Sequence, residues 1–213
     1  MYNFYKAARI VLKPLFHILY RPVIIGRENI PAEGATVIAG NHMHALDPMM
    51  VDISTKRVVR SLAKKQLHDG PFGGFFRSVG TIPVDFSKTS SPASLSAAFT
   101  ALKSGELINL FPEARRNYTD ELLLQFKPGA AAMAVRTGAV IVPFAVTGGY
   151  KIFSGPRPKI VFGKPFAAPG DINSTNKTLY EKTAELLKQN MSAEELEAKH
   201  YTPYQDVKRR KKT

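Results

Sequence analysis

The chain has 213 residues, of which 44% are hydrophobic, a composition typical of one globular domain with room for an appended helix. It contains no cysteine, which excludes disulfides and thiolate chemistry and leaves histidines and carboxylates as the ligands for any metal site. The formal net charge of +13 favours a polyanionic partner: a nucleic acid, an anionic membrane or a phosphorylated substrate.

The first twenty residues have the pattern of a basic amphipathic helix. Lys6, Arg9 and Lys13 recur at helical spacing, and their charges interrupt any secretory signal sequence. An apolar stripe of the same period is formed by Tyr5, Ala8, Leu12, Leu15, Phe16 and Leu19. Such a helix lies in a membrane interface or packs on the protein's own core, and the segment alone leaves both interpretations open. No stretch approaches the ~20 apolar residues needed to span a bilayer.

Short apolar runs and helical patterns alternate along the rest of the chain. Strands are predicted at 35–42, 58–64, 81–86, 106–111, 139–148 and 158–163. Helices are predicted from residue 45, at 91–105, at 127–138 and at 175–200, with a break near Ser192. This alternation indicates an α/β fold, with a largely parallel or mixed central sheet covered by helices on both faces. We divide the chain into an interfacial membrane-binding helix at residues 1–20, a main domain at residues 21–200, whose activity the motifs below indicate, and a basic tail at residues 201–213.

Two polar turns follow predicted strands, at the edge of the sheet where α/β proteins place their chemistry. They are NHMHALD (41–47) and FPEARR (111–116). The spacing of His42 and His44 suits zinc, but Asp47 comes one position late for a binuclear hydrolase pattern, so no metal is expected. The sequence also lacks a serine-nucleophile elbow and a glycine-rich phosphate loop.

An acid/base pair is the better interpretation of the first turn. A histidine at a strand end can deprotonate a hydroxyl near neutral pH when a carboxylate holds one of its ring nitrogens. His42 and Asp47 are separated by the five positions that suit a strand-to-helix corner, and His44 with Asp47 is the rival pair.

Four ordered blocks give this chain its resemblance to the glycerolipid acyltransferases, the family of 1-acyl-sn-glycerol-3-phosphate acyltransferases. NHMHALD (41–47) resembles the family's NHxxxxD block, and GTIPVDF (80–86) resembles its second block. LFPEARR (110–116) and IVPFAV (141–146) resemble the third and fourth. The resemblance extends from about residue 20 to residue 165.

The resemblance implies an acyltransferase that uses no cofactor. It would move an acyl chain from acyl carrier protein or coenzyme A to the free sn-2 hydroxyl of 1-acyl-glycerol-3-phosphate, giving phosphatidic acid. The expected partners are therefore the lysolipid acceptor, the acyl thioester and an anionic membrane surface, with no nucleic acid. The enzyme is expected to be peripheral, at the cytoplasmic face of the membrane.

The resemblance also implies roles for particular residues. His42 would be the general base and Asp47 would orient it, while Glu113 and Arg116 would bind the acceptor and its phosphate. Arg115 and Lys127 are further phosphate-binding candidates, because cations of this kind bind phosphate oxygens. Candidates for lining an acyl slot are Val142, Pro143 and Phe144.

Three departures from the family's blocks bear on the acceptor. Phe86 stands where the second block ends in arginine, and Ala114 and Arg115 replace a glycine and a threonine. A methyl group at a glycine position disfavours a positive φ. These changes leave open an acyltransferase for another lysolipid. The net charge and the basic tail support a second alternative, a non-catalytic binder of anionic lipid or nucleic acid. His44 is either incidental or a contact for the acceptor head group.

Overall fold

The computed structural model describes residues 3–85 and 92–205 as a central sheet with helices around it. The strands are β1 Val23–Ile25, β2 Thr36–Gly40, β3 Val59–Lys64, β4 Ile82–Val84, β5 Leu107–Leu110, β6 Val140–Thr147 and β7 Lys159–Phe162. The helices are α1 Asn3–Tyr20, α2 Asp47–Ser54, α3 Lys65–Asp69, α4 Gly73–Ser78, α5 Pro92–Lys103, α6 Gly129–Thr137, α7 Ile172–Asn190 and α8 Ala193–Glu197, with a short 3-10 turn at Arg27–Asn29.

The seven strands lie in the order β1-β7-β6-β2-β5-β3-β4. All neighbouring pairs are parallel except β6 with β7, which are antiparallel. The sheet is therefore mixed and largely parallel, as the sequence predicts. Because β2, β5 and β6 are parallel neighbours, the turns that follow them meet at one edge.

Two apolar cores cover the two faces of the sheet, which is why the central strands are apolar at nearly every position. Val37 and Ala39 of β2 point into the core under α5, α6 and α7, whereas Ile38 points into the core under α1 and α2. The prediction of helices on both faces is confirmed.

Helix α1 packs on the domain through one side and exposes apolar side chains on the other. Tyr5 and Phe16 are buried, and the Arg9 guanidinium donates to the backbone oxygens of Asp52 and Arg57 at 2.6 and 2.9 Å. The predicted apolar stripe is therefore divided, because Leu15 faces outward instead of joining Phe16. The large outward-facing side chains are Phe4, Ile10, Val11, Leu15 and Ile18.

The C-terminal part of the described chain is packed rather than free. Helix α7 ends at Asn190, and Ser192 caps α8 through a capping box, close to the predicted break. The Tyr204 hydroxyl then lies 3.0 Å from the Asn176 amide of α7. Residues 201–205 therefore belong with the domain, and the basic run at 207–212 lies outside the described residues. None of the described helices is long and apolar enough to span a bilayer.

Candidate functional site

The turn after β2 is fixed by an asparagine and a glycine. The buried Asn41 side chain accepts from the Val146 N–H at 2.7 Å and donates to its carbonyl at 2.9 Å, which joins the turn to β6. A Cβ at Gly40 would collide with the Phe144 carbonyl, so only glycine permits this close approach of the two strands. His42 is the next residue, so the position of its backbone is set by the sheet.

His42 and Asp47 form the pair that the sequence predicts. The distance from His42 Nδ1 to Asp47 Oδ2 is 2.9 Å, and the His42 ring stacks on Phe111 with centroids 4.1 Å apart. With Nδ1–H donating to the carboxylate, Nε2 carries the lone pair. Nε2 has no hydrogen bond to another described residue, so it is free to act as a base.

Asp47 is fully buried, but its carboxylate has four hydrogen-bond donors around it. Oδ2 accepts from the backbone N–H groups of Met43 and His44, both at 2.7 Å, in addition to His42. Oδ1 accepts from the Tyr150 hydroxyl at 2.7 Å. A buried carboxylate with this many donors has its hydrogen-bonding capacity satisfied and keeps a fixed orientation.

His44 has a different environment from His42. Its Nδ1 accepts from the Leu46 N–H at 3.2 Å, and its ring stacks on Tyr150 with centroids 4.4 Å apart. Its link to Asp47 runs through the backbone N–H rather than the ring. The geometry therefore favours His42 over the rival pair.

Glu113, from the second turn, holds the backbone of His42. Oε1 accepts from the His42 N–H at 2.6 Å, and Oε2 accepts from the Leu124 N–H at 2.9 Å. The His42 carbonyl in turn accepts from the Asn117 N–H at 2.7 Å. The second turn thus fixes the first from both sides. Since both Glu113 oxygens are engaged, its predicted contact with the acceptor stays a prediction.

Burial raises the pKa of Glu113 to about 7, against the lowering effect of the two backbone hydrogen bonds. A carboxyl with a folded-state pKa above its ordinary value of 4.5 stabilises the fold fully below about pH 4.5, and this stabilisation is lost as pH rises to about 7. Ionisation of Glu113 should therefore lower the unfolding free energy of the wild type by about 2–4 kcal/mol between pH 4.5 and 7.5. Glu113→Gln, which imitates the protonated carboxyl, should not show this part of the decrease. Urea unfolding at both pH values measures this, with Glu33→Gln on the exposed surface as the control. An unchanged pH dependence in Glu113→Gln would contradict the assignment.

Ala114 turns the chain after Glu113 and separates the two arginines. Its φ of 58° is in the left-handed region, which confirms that the position demands a glycine-like backbone even though alanine occupies it. Arg115 then borders a cavity of about 540 Å³, together with Glu113 and Lys127. Arg116 lies instead over the Tyr118 ring, with the guanidinium carbon 5.2 Å from the ring centroid.

Apart from Ala114, the rest of the cavity wall comes from segments that the sequence analysis did not connect with the site. Its other lining residues are Ala114, Glu121, Leu123, Leu124, Gln125 and Thr202. Thr202 reaches the cavity because the end of the described chain pairs with the loop before α6, through the Glu121–His200 bridge. No local pattern around Thr202 indicates this contact, which depends on the fold of the whole domain.

The three predicted acyl-slot residues lie inside β6. Val142 and Phe144 are fully buried in the core under α1 and α2, and Phe144 contacts the rings of Phe111 and Phe162. Pro143, in the same buried strand, pairs with Ala39. Their role in binding an acyl chain stays a prediction.

Tyr150 and Phe111 are the site residues that the sequence analysis missed. Both come from carboxyl-terminal ends of strands next to β2, so the predicted sheet contained a signal for them. Phe86, the departure in the second block, lies outside the described residues. Among residues 3–85 and 92–205 there is no group of three or more His, Asp or Glu side chains placed to hold a metal ion.

The chain is similar to known acyltransferases. A family model described as Acyltransferase matches residues 21–147, more than half of the chain. The 1-acyl-sn-glycerol-3-phosphate acyltransferase of Bacillus subtilis is 28% identical over 166 residues, which cover 76% of this chain and 81% of that protein. The protein of the same name from Borreliella burgdorferi is 33% identical over 123 residues, but the match covers only 49% of its length.

A solved structure supports the fold independently. The crystal structure of the 1-acyl-sn-glycerophosphate (LPA) acyltransferase from Thermotoga maritima superposes with a TM-score of 0.65. The match covers 90% of this chain and 86% of that one, at 22% sequence identity. The arrangement of sheet and helices is therefore shared with that enzyme.

Proposed function

The chain belongs to the acyltransferase family, and we propose that it acylates the sn-2 hydroxyl of 1-acyl-glycerol-3-phosphate to give phosphatidic acid. The acyl donor is a thioester of acyl carrier protein or coenzyme A. The observation that carries the proposal is the 2.9 Å contact between His42 Nδ1 and Asp47 Oδ2 inside the family's first block. The names of the related proteins support the choice of acceptor.

His42 is the general base of the proposed reaction. Its Nε2 removes the proton from the acceptor hydroxyl while the oxygen attacks the thioester carbonyl. Asp47 holds Nδ1–H and stabilises the imidazolium that forms. The tetrahedral intermediate then collapses, the C–S bond breaks, and the departing thiolate takes the proton from Nε2. No covalent acyl-enzyme is needed, which fits a chain without cysteine.

Arg115 and Lys127 are proposed to bind the acceptor's phosphate at the cavity beside Glu113. Both cations border that cavity, and Glu113 connects its wall directly to the His42 backbone. An acceptor with its phosphate on these cations would thus have its glycerol close to the base. Arg116 remains a candidate, although its guanidinium is stacked on Tyr118.

Arg115→Ala should raise the acceptor KM by about tenfold and leave the donor KM nearly unchanged. The contact is a hydrogen bond to a charged group, worth ~1.5–3 kcal/mol, and we expect the lower end because the side chain is exposed before the acceptor binds. Arg115→Lys should also raise the acceptor KM, but by a smaller factor, since an ammonium keeps the charge and cannot replace the planar fork. Steady-state kinetics on Arg115→Ala and Arg116→Ala compare the two arginines directly. A larger KM increase in Arg116→Ala would return the phosphate contact to Arg116.

An apolar outer surface supports peripheral attachment at the cytoplasmic face of the membrane. We call this surface the apolar face. It is formed by the outward-facing side chains of α1 together with Leu67, Phe72, Phe75, Ile152 and Phe153. Phe4 of α1 contacts Phe75 of α4, with ring centroids 6.4 Å apart, and the Phe153 N–H donates to the Leu19 carbonyl at 3.2 Å. These contacts join α1 to α4 and to the segment after β6, and exposed apolar patches mark lipid or protein interaction sites. The net charge of +13 would add attraction to anionic lipid.

A radiolabelled acyl-transfer assay tests the proposed function. Purified protein is given acyl coenzyme A or acyl carrier protein, with either lysophosphatidic acid or a neutral monoacylglycerol as acceptor. The proposal expects labelled phosphatidic acid from one or both donors and little product from the neutral acceptor. Equal acylation of the neutral acceptor would indicate that another lysolipid is the substrate.

A further inference from the structure

Tyr150 occupies a position between the catalytic pair and helix α1. It follows two glycines after the end of β6, so its ring lies at the same edge of the sheet as the turn of His42. Its hydroxyl donates to Asp47 Oδ1 at 2.7 Å, on the opposite side of the carboxylate from His42. Within the described residues, the Tyr150 hydroxyl is the donor to Asp47 Oδ1.

The Tyr150 ring is enclosed by three other aromatic rings. His44 stacks on it at 4.4 Å with an interplanar angle of 18°, whereas Phe16 and Tyr20 of α1 meet it edge-on, with centroids 6.4 and 6.0 Å away. The ring therefore cannot rotate without moving α1 or the first turn. This also explains the second histidine of the motif, whose ring covers Tyr150.

We propose that Tyr150 is a positioning residue that fixes the Asp47 carboxylate for His42, and that α1 holds Tyr150 in place. The inference rests on the proposed role of His42 and Asp47. The physical reason is that Asp47 is fully buried, so leaving its Oδ1 without a donor is costly. Without the Tyr150 hydroxyl the carboxylate would rotate, and the His42 ring bound to it would move as well. Burial and the neighbouring Asp47 carboxylate raise the pKa of Tyr150 far above its usual range, so its hydroxyl remains a donor at every working pH.

Tyr150→Phe removes the hydroxyl and keeps the ring. We expect kcat to fall by about tenfold with the acceptor KM unchanged, as for a lost hydrogen bond to a charged group. Asp47 accepts from the backbone N–H groups of Met43 and His44 and contacts the side chains of His42 and Tyr150, and Glu113 is the neighbouring carboxyl. Losing one donor concentrates negative charge on the carboxylate and favours the protonated form of His42. The acid limb of the kcat/KM profile should therefore move to higher pH, by about half a unit or more.

Tyr5→Phe is the matched control, because the Tyr5 hydroxyl makes the same kind of contact with Asp52 near the N-terminal end of α1. We expect it to lower the thermal stability and leave the acid limb in place. A Tyr150→Phe variant that loses stability but keeps the wild-type pH profile and kcat would overturn the positioning role. His42→Ala is assayed in parallel: if it is active, the proposed pair is wrong, whereas if it is inactive and Tyr150→Phe is normal, only this inference fails.

The role of α1 is tested by combining two substitutions. Phe16→Leu keeps most of the buried volume but removes the ring that meets Tyr150. It should reduce kcat in the wild-type background and have little further effect in Tyr150→Phe, because the hydrogen bond to Asp47 through which it would act is already absent there. Additive reductions in kcat would show that α1 does not act through Tyr150.

Discussion

His42→Ala is expected to reduce kcat for acyl transfer by about 10²–10⁴-fold, the contribution of a positioned general base. The protein should keep its fold, because the contacts that fix this turn use the His42 backbone: its N–H donates to Glu113 and its carbonyl accepts from Asn117. Asp47 also keeps three donors when the imidazole is removed. The loss should therefore appear in catalysis and hardly in the thermal unfolding curve.

His44→Ala is the control for this prediction, since it removes the neighbouring imidazole from the same turn. Its backbone N–H continues to donate to Asp47, whereas the stacking on Tyr150 and the 3.2 Å hydrogen bond from the Leu46 N–H are lost. We expect a reduction in kcat of about two- to fivefold, consistent with the ~0.5–1.5 kcal/mol of an aromatic contact. An inactive His44→Ala with an active His42→Ala would show that the rival pair is the catalytic one.

The pairing of His42 with Asp47 was predictable from sequence, because it depends largely on short-range geometry. A strand that ends in a polar turn, followed by a helix with Asp47 in its first turn, brings the two side chains close together. The order of the predicted strands also brought Glu113 to the same edge of the sheet. What the sequence did not indicate is which way Glu113 points, and the structure turns it toward two backbone N–H groups.

Two parts of the site depend on information that no local pattern contains. The positive φ of Ala114 places Arg115 at the cavity and Arg116 on Tyr118, whereas motif matching favours Arg116 as the phosphate ligand. The second part is the orientation of α1 on the domain. Its charges suggested a basic side toward the membrane, but the Arg9 guanidinium donates to the backbone carbonyls of residues 52 and 57. The helical period fixes which residues share a side, but not which side the domain covers.

Ile10→Ser and Ile18→Ser should together reduce the binding of the protein to anionic vesicles by about 100-fold. The two side chains are 75% and 63% exposed on the apolar face, so each would leave water on binding to lipid. Burying an isoleucine contributes ~1.5–3 kcal/mol, and about 1.4 kcal/mol corresponds to a tenfold change. Cosedimentation with vesicles measures the effect. Ile25→Ser on β1, which is 45% exposed and outside the apolar face, should bind as the wild type does.

Point substitutions test the apolar face better than deletion of residues 1–20. Deletion would also uncover the core against which Tyr5 and Phe16 pack and remove two rings from Tyr150, so loss of activity would have several causes. With a short-chain acceptor dissolved in water, the Ile10→Ser, Ile18→Ser double variant should keep its kcat, because neither side chain reaches the catalytic pair. Only the acylation of acceptor held in vesicles should decline. An equal decline with the soluble acceptor would mean that the outward side of α1 supports catalysis rather than membrane attachment.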